Sequence, residues 1–228
     1  MSGGGAPPQV VLWRHGQTAW NAEGRWQGHR DIALTDLGAE QAREAADVLR
    51  HRRPVRVVSS DLQRASGTAG ALALAAGMPV LLDPRLREVH GGEWQGLRRS
   101  EIEQGWPDLH RAWLAGEDVA AGGGESRAAA GARVAGAVEE HAADLADGEV
   151  LVCVGHGGSL GSALLRLLGL PAGTAPLVTG LRNARWTTLV RGDGTDVPWR
   201  LLEHNAGAWP TGDAVPAQAG PAGSAAGA

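Results

Sequence analysis

Two short apolar runs in this chain each end in a histidine followed by glycine. Residues 11–16 read Val-Leu-Trp-Arg-His-Gly, and residues 150–158 read Val-Leu-Val-Cys-Val-Gly-His-Gly-Gly. A buried strand that delivers an imidazole to its end, with a guanidinium beside it and a glycine that lets a phosphate approach the backbone, has the groups that phosphoryl transfer needs. Ser59-Ser60-Asp61-Leu62-Gln63-Arg64 adds a second arginine, and Leu86-Arg87-Glu88 adds a carboxylate. Charge suggests the roles. A phosphomonoester is close to a dianion at neutral pH, so Arg14 and Arg64 would bind its oxygens through charge-assisted bonds. His156, if protonated, would add a third donor. The first N–H groups of a helix over 158–168 would point the same way, with Gly157 allowing close approach. His15, neutral at the attacking nitrogen, would displace the alcohol and become phosphorylated. A carboxyl group would protonate the departing oxygen and then take a proton from water. Glu88, Glu93 and Glu101 all lie near enough in sequence to serve. No metal and no other cofactor is required, because the cationic side chains supply a metal's electrostatic role.

The elements that must carry these residues alternate between strand and helix. Strands are expected at 10–13, 55–59, 80–82, 150–154, 184–190 and 199–202. Helices are expected at 36–52, 62–76, 125–145 and 158–168, with shorter ones in 99–115 broken near Gly105-Trp106-Pro107. In the first helix Ala42, Ala45, Ala46 and Leu49 share a face, and in the third Val134, Val138, His141 and Leu145 do. Residues 84–98 and 122–124 read as loop. Helical crossovers between strands predict an α/β fold, a three-layer α/β/α sandwich with a mainly parallel sheet. In such sheets the ligand lies beyond the carboxyl ends of the strands, where Arg14, His15, Arg64, Glu88 and His156 all fall.

Composition narrows the classes. The 228 residues suffice for one sizeable domain. Residues 1–8 read as a flexible lead, 9–209 as the domain, and the Ala/Gly/Pro-rich stretch 210–228 as a disordered tail. A net charge of −4 argues against nucleic-acid binding. The apolar runs are too short to span a bilayer, and the first residues lack a secretory pattern, so no membrane association and a cytoplasmic location are expected. The single cysteine, Cys153, reads as a small core residue. All 21 basic side chains are arginine and all nine aromatic residues are tryptophan. Every fixed positive charge is therefore a planar guanidinium, suited to gripping phosphate or carboxylate.

A set of blocks in order carries a resemblance. His15-Gly-Gln-Thr-x-Trp-Asn21, Gln27-Gly28, Leu34-Thr35-x-x-Gly38-x-x-Gln41-Ala42, Ser59-Ser-Asp-Leu-x-Arg64-Ala-x-x-Thr68-Ala69, Leu86-x-Glu88 with Trp94-x-Gly96, Gly124-Glu-Ser126 and Gly155-His-Gly-Gly158 together resemble the histidine phosphatase superfamily, the phosphoglycerate-mutase-like enzymes. The match runs from residue 10 to about 206. It implies His15 as the phosphorylated nucleophile, Arg14, Arg64 and His156 around the phosphate, Glu88 as the acid/base, and Asn21 and Gln27 reaching substrate or phosphate. A finer resemblance lies in Leu86–Leu97, Gly-Gly-Glu-Ser-Arg127, Arg-Asn-Ala-Arg-Trp-Thr-Thr-Leu189 and Trp199-Arg-Leu-Leu-x-x-Asn205-Ala206. It is to the glucosyl-3-phosphoglycerate phosphatases, and it implies a small phosphorylated metabolite as partner. The resemblance also raises a homodimer as the oligomeric state. A cofactor-dependent phosphoglycerate mutase is the alternative; the long charged insertion of those enzymes is replaced here by an Ala/Gly-rich segment, which favours water as acceptor.

Other motifs compete with this reading. Gly155-His-Gly-Gly resembles part of a dinucleotide fingerprint, but Leu160 stands at the third glycine. Gly157-Gly-Ser159-Leu-Gly161 matches a serine-hydrolase elbow, with Asp193 or Asp196 and then His204 in the right order. A non-catalytic phosphate-binding module would keep the fold without turnover. His29, His51, His90, His110 and His204 read as surface or structural, and His141 as a satisfied core residue. Trp94, Trp106 and Trp113 read as core or lid packing. Residues 99–125 and 203–209 are expected to line the outer pocket.

Overall fold

A computed structural model of the chain describes residues 5–171, 174, 177–192 and 198–207. The stretch 210–228, read as a tail, lies outside the described residues, as do Asp193 and Asp196. Six strands, β1 (Gln9–Arg14), β2 (Arg56–Ser59), β3 (Leu81–Leu82), β4 (Val150–Gly155), β5 (Trp186–Arg191) and β6 (Trp199–Ala206), form one sheet in the order β3-β2-β4-β1-β5-β6. The pairs β1–β4, β4–β2 and β2–β3 are parallel, whereas β5 runs antiparallel to both neighbours. Helices α2 (Asp36–Leu49) and α3 (Gln63–Ala76) cover one face; α6 (Arg127–Ala142) and α7 (Gly157–Leu167) cover the other. The arrangement is the expected three-layer sandwich.

Local chemistry explains the element ends. Thr35 caps α2 by accepting from the Gly38 N–H, and Ser126 caps α6 by accepting from the Ala129 N–H. Gly77 closes α3 in a left-handed conformation, and Pro107 opens α5 (Pro107–Ala115) just after α4 (Arg99–Gly105). A one-turn helix α1 (Ala19–Ala22), not expected from periodicity, is held by a Thr18–Asn21 capping box. The expected helix 36–52 is α-helical only to Leu49 and finishes as a 3-10 turn, and 84–98 contains 3-10 turns at Pro84–Leu86 and Gly92–Trp94.

Both faces of the central strands are buried, which is why β1 and β4 read as unbroken apolar runs. Val10 and Leu12 pack with Leu151, Cys153 and α6–α7, while Val11 and Trp13 pack with Val152, Val154 and α2–α3. Trp13 fits because the helices facing it offer Ala45, Ala46, Ala65 and Ala69; its indole N–H donates to the Ala184 carbonyl at 3.2 Å. Burial pushes the Cys153 thiol up to about 12, consistent with an inert core residue. A third apolar cluster joins Trp94, Trp113, Val89 and Ile102 with Trp26 and Trp106, so these indoles do pack as a cap. Among the described residues no helix is long and apolar enough to cross a membrane.

Candidate active site

The sheet register brings the two histidines together. Arg14 of β1 lies opposite Gly155 of the adjacent parallel strand β4, so His15 and His156 each stand one residue beyond. Their ring centroids are 5.1 Å apart, edge to face. His15 is only 2% exposed. Its Nδ1 lies 2.6 Å from the Gly16 carbonyl, which can only accept, so Nδ1 carries the proton. Nε2 is left as the ring atom with a lone pair. Burial holds the His15 pKa well below its usual 6.5, and the Arg14 and Arg64 charges lower it further.

Arg64, at the start of α3, is fully buried. Its Nη1 donates to the Arg30 carbonyl and its Nη2 to the Gly28 carbonyl, each at 2.7 Å, and its Nε donates to His156 Nδ1 at 3.1 Å. Burial lowers its pKa to about 10, so it stays cationic at neutral pH. Because a guanidinium cannot accept, His156 Nδ1 is the acceptor, and its Nε2 carries a proton toward Ser60 Oγ at 2.9 Å. Burial and the Arg64 charge keep His156 well below its usual pKa. The third donor expected of His156 was conditional on its protonation; here the ring is neutral, with both nitrogens occupied, and it orients Arg64.

Glu88 occupies the seat expected for the phosphate. Its carboxylate accepts from the N–H groups of Gly158 at 3.0 Å, Ser159 at 2.7 Å and Val89 at 2.9 Å, so it caps the amino end of α7. The loop that carries it is gripped by Arg133, which donates to the carbonyls of Arg85, Arg87 and Glu88 and forms a two-pronged pair with Glu125. His29 Nε2 donates to the Glu88 carbonyl at 2.8 Å.

Two glycines make room for protein neighbours. A Cβ on Gly157 would sit 3.2 Å from Arg14 Cζ, so this residue makes room for the Arg14 guanidinium. A Cβ on Gly16 would lie 2.2 Å from the Gly38 carbonyl oxygen, so Gly16 lets β1 meet α2. Arg14 Nη1 donates to the Leu181 carbonyl at 2.7 Å, and its buried Nε has no protein partner.

A cavity of about 250 Å³ is lined by Arg14, His15, Asn21, Gln27, Arg64, Glu88 and Gly158, together with Arg25, Trp26, Trp113 and Arg127. Of the expected outer segments, Trp113 of α5 reaches it. Gln27 is 8% exposed, and its Oε1 has no partner. Asn21 Oδ1 accepts from Thr18 and, at 3.2 Å, from Asn183 Nδ2. Asn183 also donates to the carbonyls of His15 and Gly16, both at 3.1 Å. Asn183 and Arg127 were not anticipated as site residues. Asn183 precedes the antiparallel strand β5, whose amino end, not its carboxyl end, meets this rim. The serine-hydrolase reading fails on geometry. Ser159 Oγ is buried without a partner inside α7, and His204 is bonded instead to Thr187 Oγ1 and the Thr179 carbonyl, both at 2.8 Å.

Both buried rings are neutral at pH 6.5, the usual imidazole pKa, and the unfolded chain takes up protons below it. Their pKa values are depressed on folding, so the stability they permit is complete only well above pH 6.5 and is lost as pH falls through it. We expect unfolding free energy to drop by about 1 kcal/mol for each ring between about pH 6.5 and 5.5, the slope steepening toward about 1.4 kcal/mol per pH unit at the acid end. Urea unfolding across that window checks this, and a flat profile would contradict it.

A mixed sheet between helical layers, with cationic side chains and a buried imidazole at the strand ends, defines an α/β phosphoryl-transfer enzyme. A model of the histidine phosphatase superfamily (branch 1) matches residues 10–206, and the chain belongs to this family. It is 41% identical over 221 residues to the glucosyl-3-phosphoglycerate phosphatase of Mycolicibacterium vanbaalenii, covering 91% of this chain and 98% of that one. A probable phosphoglycerate mutase GpmB of an Enterobacter species is 37% identical over 195 residues, with 84% and 87% covered. Among solved structures, a mycobacterial glucosyl-3-phosphoglycerate phosphatase in complex with VO3 superimposes with a TM-score of 0.80 at 41% identity, covering 87% of this chain and 98% of the other. A phosphoserine phosphatase of Entamoeba histolytica in complex with 3-phosphoglyceric acid gives 0.77 at 28% identity, with 87% and 97% covered. The chain is a phosphatase, a phosphoric monoester hydrolase; the mutase alternative fits less well.

Proposed function

We propose that this phosphatase removes the phosphate of glucosyl-3-phosphoglycerate, or a close analogue, through phospho-His15. The observation that carries the reading is the tautomer of His15. Its Nδ1–H is committed to the Gly16 carbonyl, and the ring lines a cavity shared with two guanidinium groups and a carboxyl group. His15 Nε2 attacks phosphorus as the ester P–O bond breaks, and the Nδ1–H bond to Gly16 supports the charge the ring acquires. Arg14 and the two Arg64 N–H groups not bound to protein hold the phosphate oxygens, and these cations supply the field that a metal would elsewhere. Gln27, with its Oε1 unpartnered, can turn its amide N–H toward the phosphate. Glu88 takes up a proton from water as the phosphate dianion displaces it from the amino end of α7, and it gives that proton to the departing oxygen. The resulting carboxylate then takes a proton from the water that attacks phosphorus, the P–N bond breaks, and His15 returns neutral with inorganic phosphate released. Relatives support the substrate: glucosyl-3-phosphoglycerate phosphatases lie at 40–41% identity to this chain.

A panel comparing kcat/KM for glucosyl-3-phosphoglycerate, 3-phosphoglycerate, phosphoserine and α-ribazole phosphate tests the substrate; a higher value for any of the other three would displace it. Glu88→Gln tests the acid role. Alkyl phosphates, whose leaving groups need a proton, should slow by about 10²- to 10³-fold, and 4-nitrophenyl phosphate by much less. Equal slowing of both would remove Glu88 from that role.

A further inference from the structure

Arg127 is the cation that the mechanism above does not use. It is the first residue of α6, where the positive end of the helix dipole disfavours another positive charge. Each of the other cavity-lining arginines has an assignment. Arg14 and Arg64 are given to the phosphate, and Arg25 is paired with Glu23 at 2.6 Å while donating to the Gly96 carbonyl. Arg127 forms no ion pair among the described residues. Its single hydrogen bond, from Nη2 to the Trp113 carbonyl, is long at 3.3 Å, and its Nε is buried without a partner. Burial lowers its pKa, with the nearby Glu88 charge opposing. A guanidinium Nε–H buried without a partner is costly unless a ligand or water fills it.

The geometry also orients it. The guanidinium carbon lies 4.1 Å from the centre of the Trp113 ring. The indole takes one face of the group and leaves its N–H edge for a planar acceptor. Arg127 stands in the wall of the catalytic cavity and also of a neighbouring one of about 380 Å³, so a group bound there would belong to the part of the substrate beyond the phosphate.

We propose that Arg127 binds a carboxylate on the organic half of the substrate, making the enzyme selective for phosphorylated hydroxy acids over phosphorylated alcohols. The inference rests on the phosphatase reading above and extends it to the class of leaving group.

The test uses a matched pair, 3-phosphoglycerate and glycerol 3-phosphate, which differ by a carboxylate in place of a hydroxymethyl group. In the wild type kcat/KM should favour the acid by about 100-fold, the range of one charge-assisted, two-pronged contact. In Arg127→Met that ratio should shrink to within about fivefold, mostly through the KM of the acid, and Arg127→Lys should give an intermediate ratio. Slowing of both esters by the same factor would mean a merely structural role and would overturn the inference. So would a wild type with no preference. A wild-type preference for 1,3-propanediol bisphosphate over both esters that Arg127→Met abolishes would make the bound group a second phosphate, again overturning it. Should Arg127→Met not fold, competitive inhibition of the wild type by D-glycerate, with none by glycerol, supports the inference, and equal inhibition by the two defeats it. A wild type that hydrolyses 4-nitrophenyl phosphate but shows no acid preference sinks this inference alone. One that hydrolyses no phosphomonoester removes the phosphatase reading and this inference together.

Discussion

Replacing His15 by alanine is expected to lower kcat by about 10⁴-fold or more while the protein stays folded. The loss is large because no second nucleophile stands ready. His156 is the nearest imidazole, but both its nitrogens are engaged, by Arg64 Nε and Ser60 Oγ. The fold should tolerate the change because the Gly16 carbonyl that loses the ring N–H keeps the Asn183 amide as donor. Phosphohistidine survives base and is cleaved by acid. Quenching the wild type in alkali during turnover of ³²P-labelled substrate should therefore leave label on the protein, and the variant should carry none. Activity within tenfold of the wild type, or unchanged labelling, would end the proposal.

Arg64→Met is expected to lower kcat/KM by about 10³-fold with a much smaller effect on stability. Three protein groups lean on this guanidinium: the carbonyls of Gly28 and Arg30, and His156 Nδ1. Losing it strands those acceptors, at about 1–3 kcal/mol for each that water cannot reach. It also removes a buried cation that has no carboxylate partner among the described residues, which offsets much of that cost. The catalytic loss has no such offset, since a phosphate would lose two N–H donors and a fixed charge together. Arg64→Lys should recover less than tenfold, because one ammonium group cannot serve three acceptors in different directions. Urea unfolding measured beside kcat/KM separates the two effects. A fully active Arg64→Met would remove this residue from the site.

The layout of the site was legible because strand ends are legible. Runs such as 150–154 are apolar throughout only when both faces are covered, and the residue that follows such a run is delivered to the rim. That places His15, Arg64, Glu88 and His156 beyond the carboxyl ends of the sheet's parallel strands. What each of them touches was not legible. Nothing in the spacing of Glu88 and Gly158 says that the carboxylate takes the end of α7, or that Gly157 yields space to Arg14. Those are contacts between segments distant in sequence. Asn183 escaped for a topological reason: it precedes β5, whose direction is fixed only by its pairing with β1. Arg127 sits in a quoted block, Gly-Gly-Glu-Ser-Arg, but its unfilled N–H edge depends on Trp113, and no local rule brings the two together. The one signal available was electrostatic, a cation at the start of a helix.

The pairing of β1 with β4 has a kinetic consequence. These strands come from opposite parts of the chain, and only their correct alignment sets His15 against His156. Contacts of such long range are slow to form, since the intervening loop must close first. During refolding from urea, helical signal should therefore recover before catalytic competence does, and the return of phosphate release would time the last zippering of the sheet.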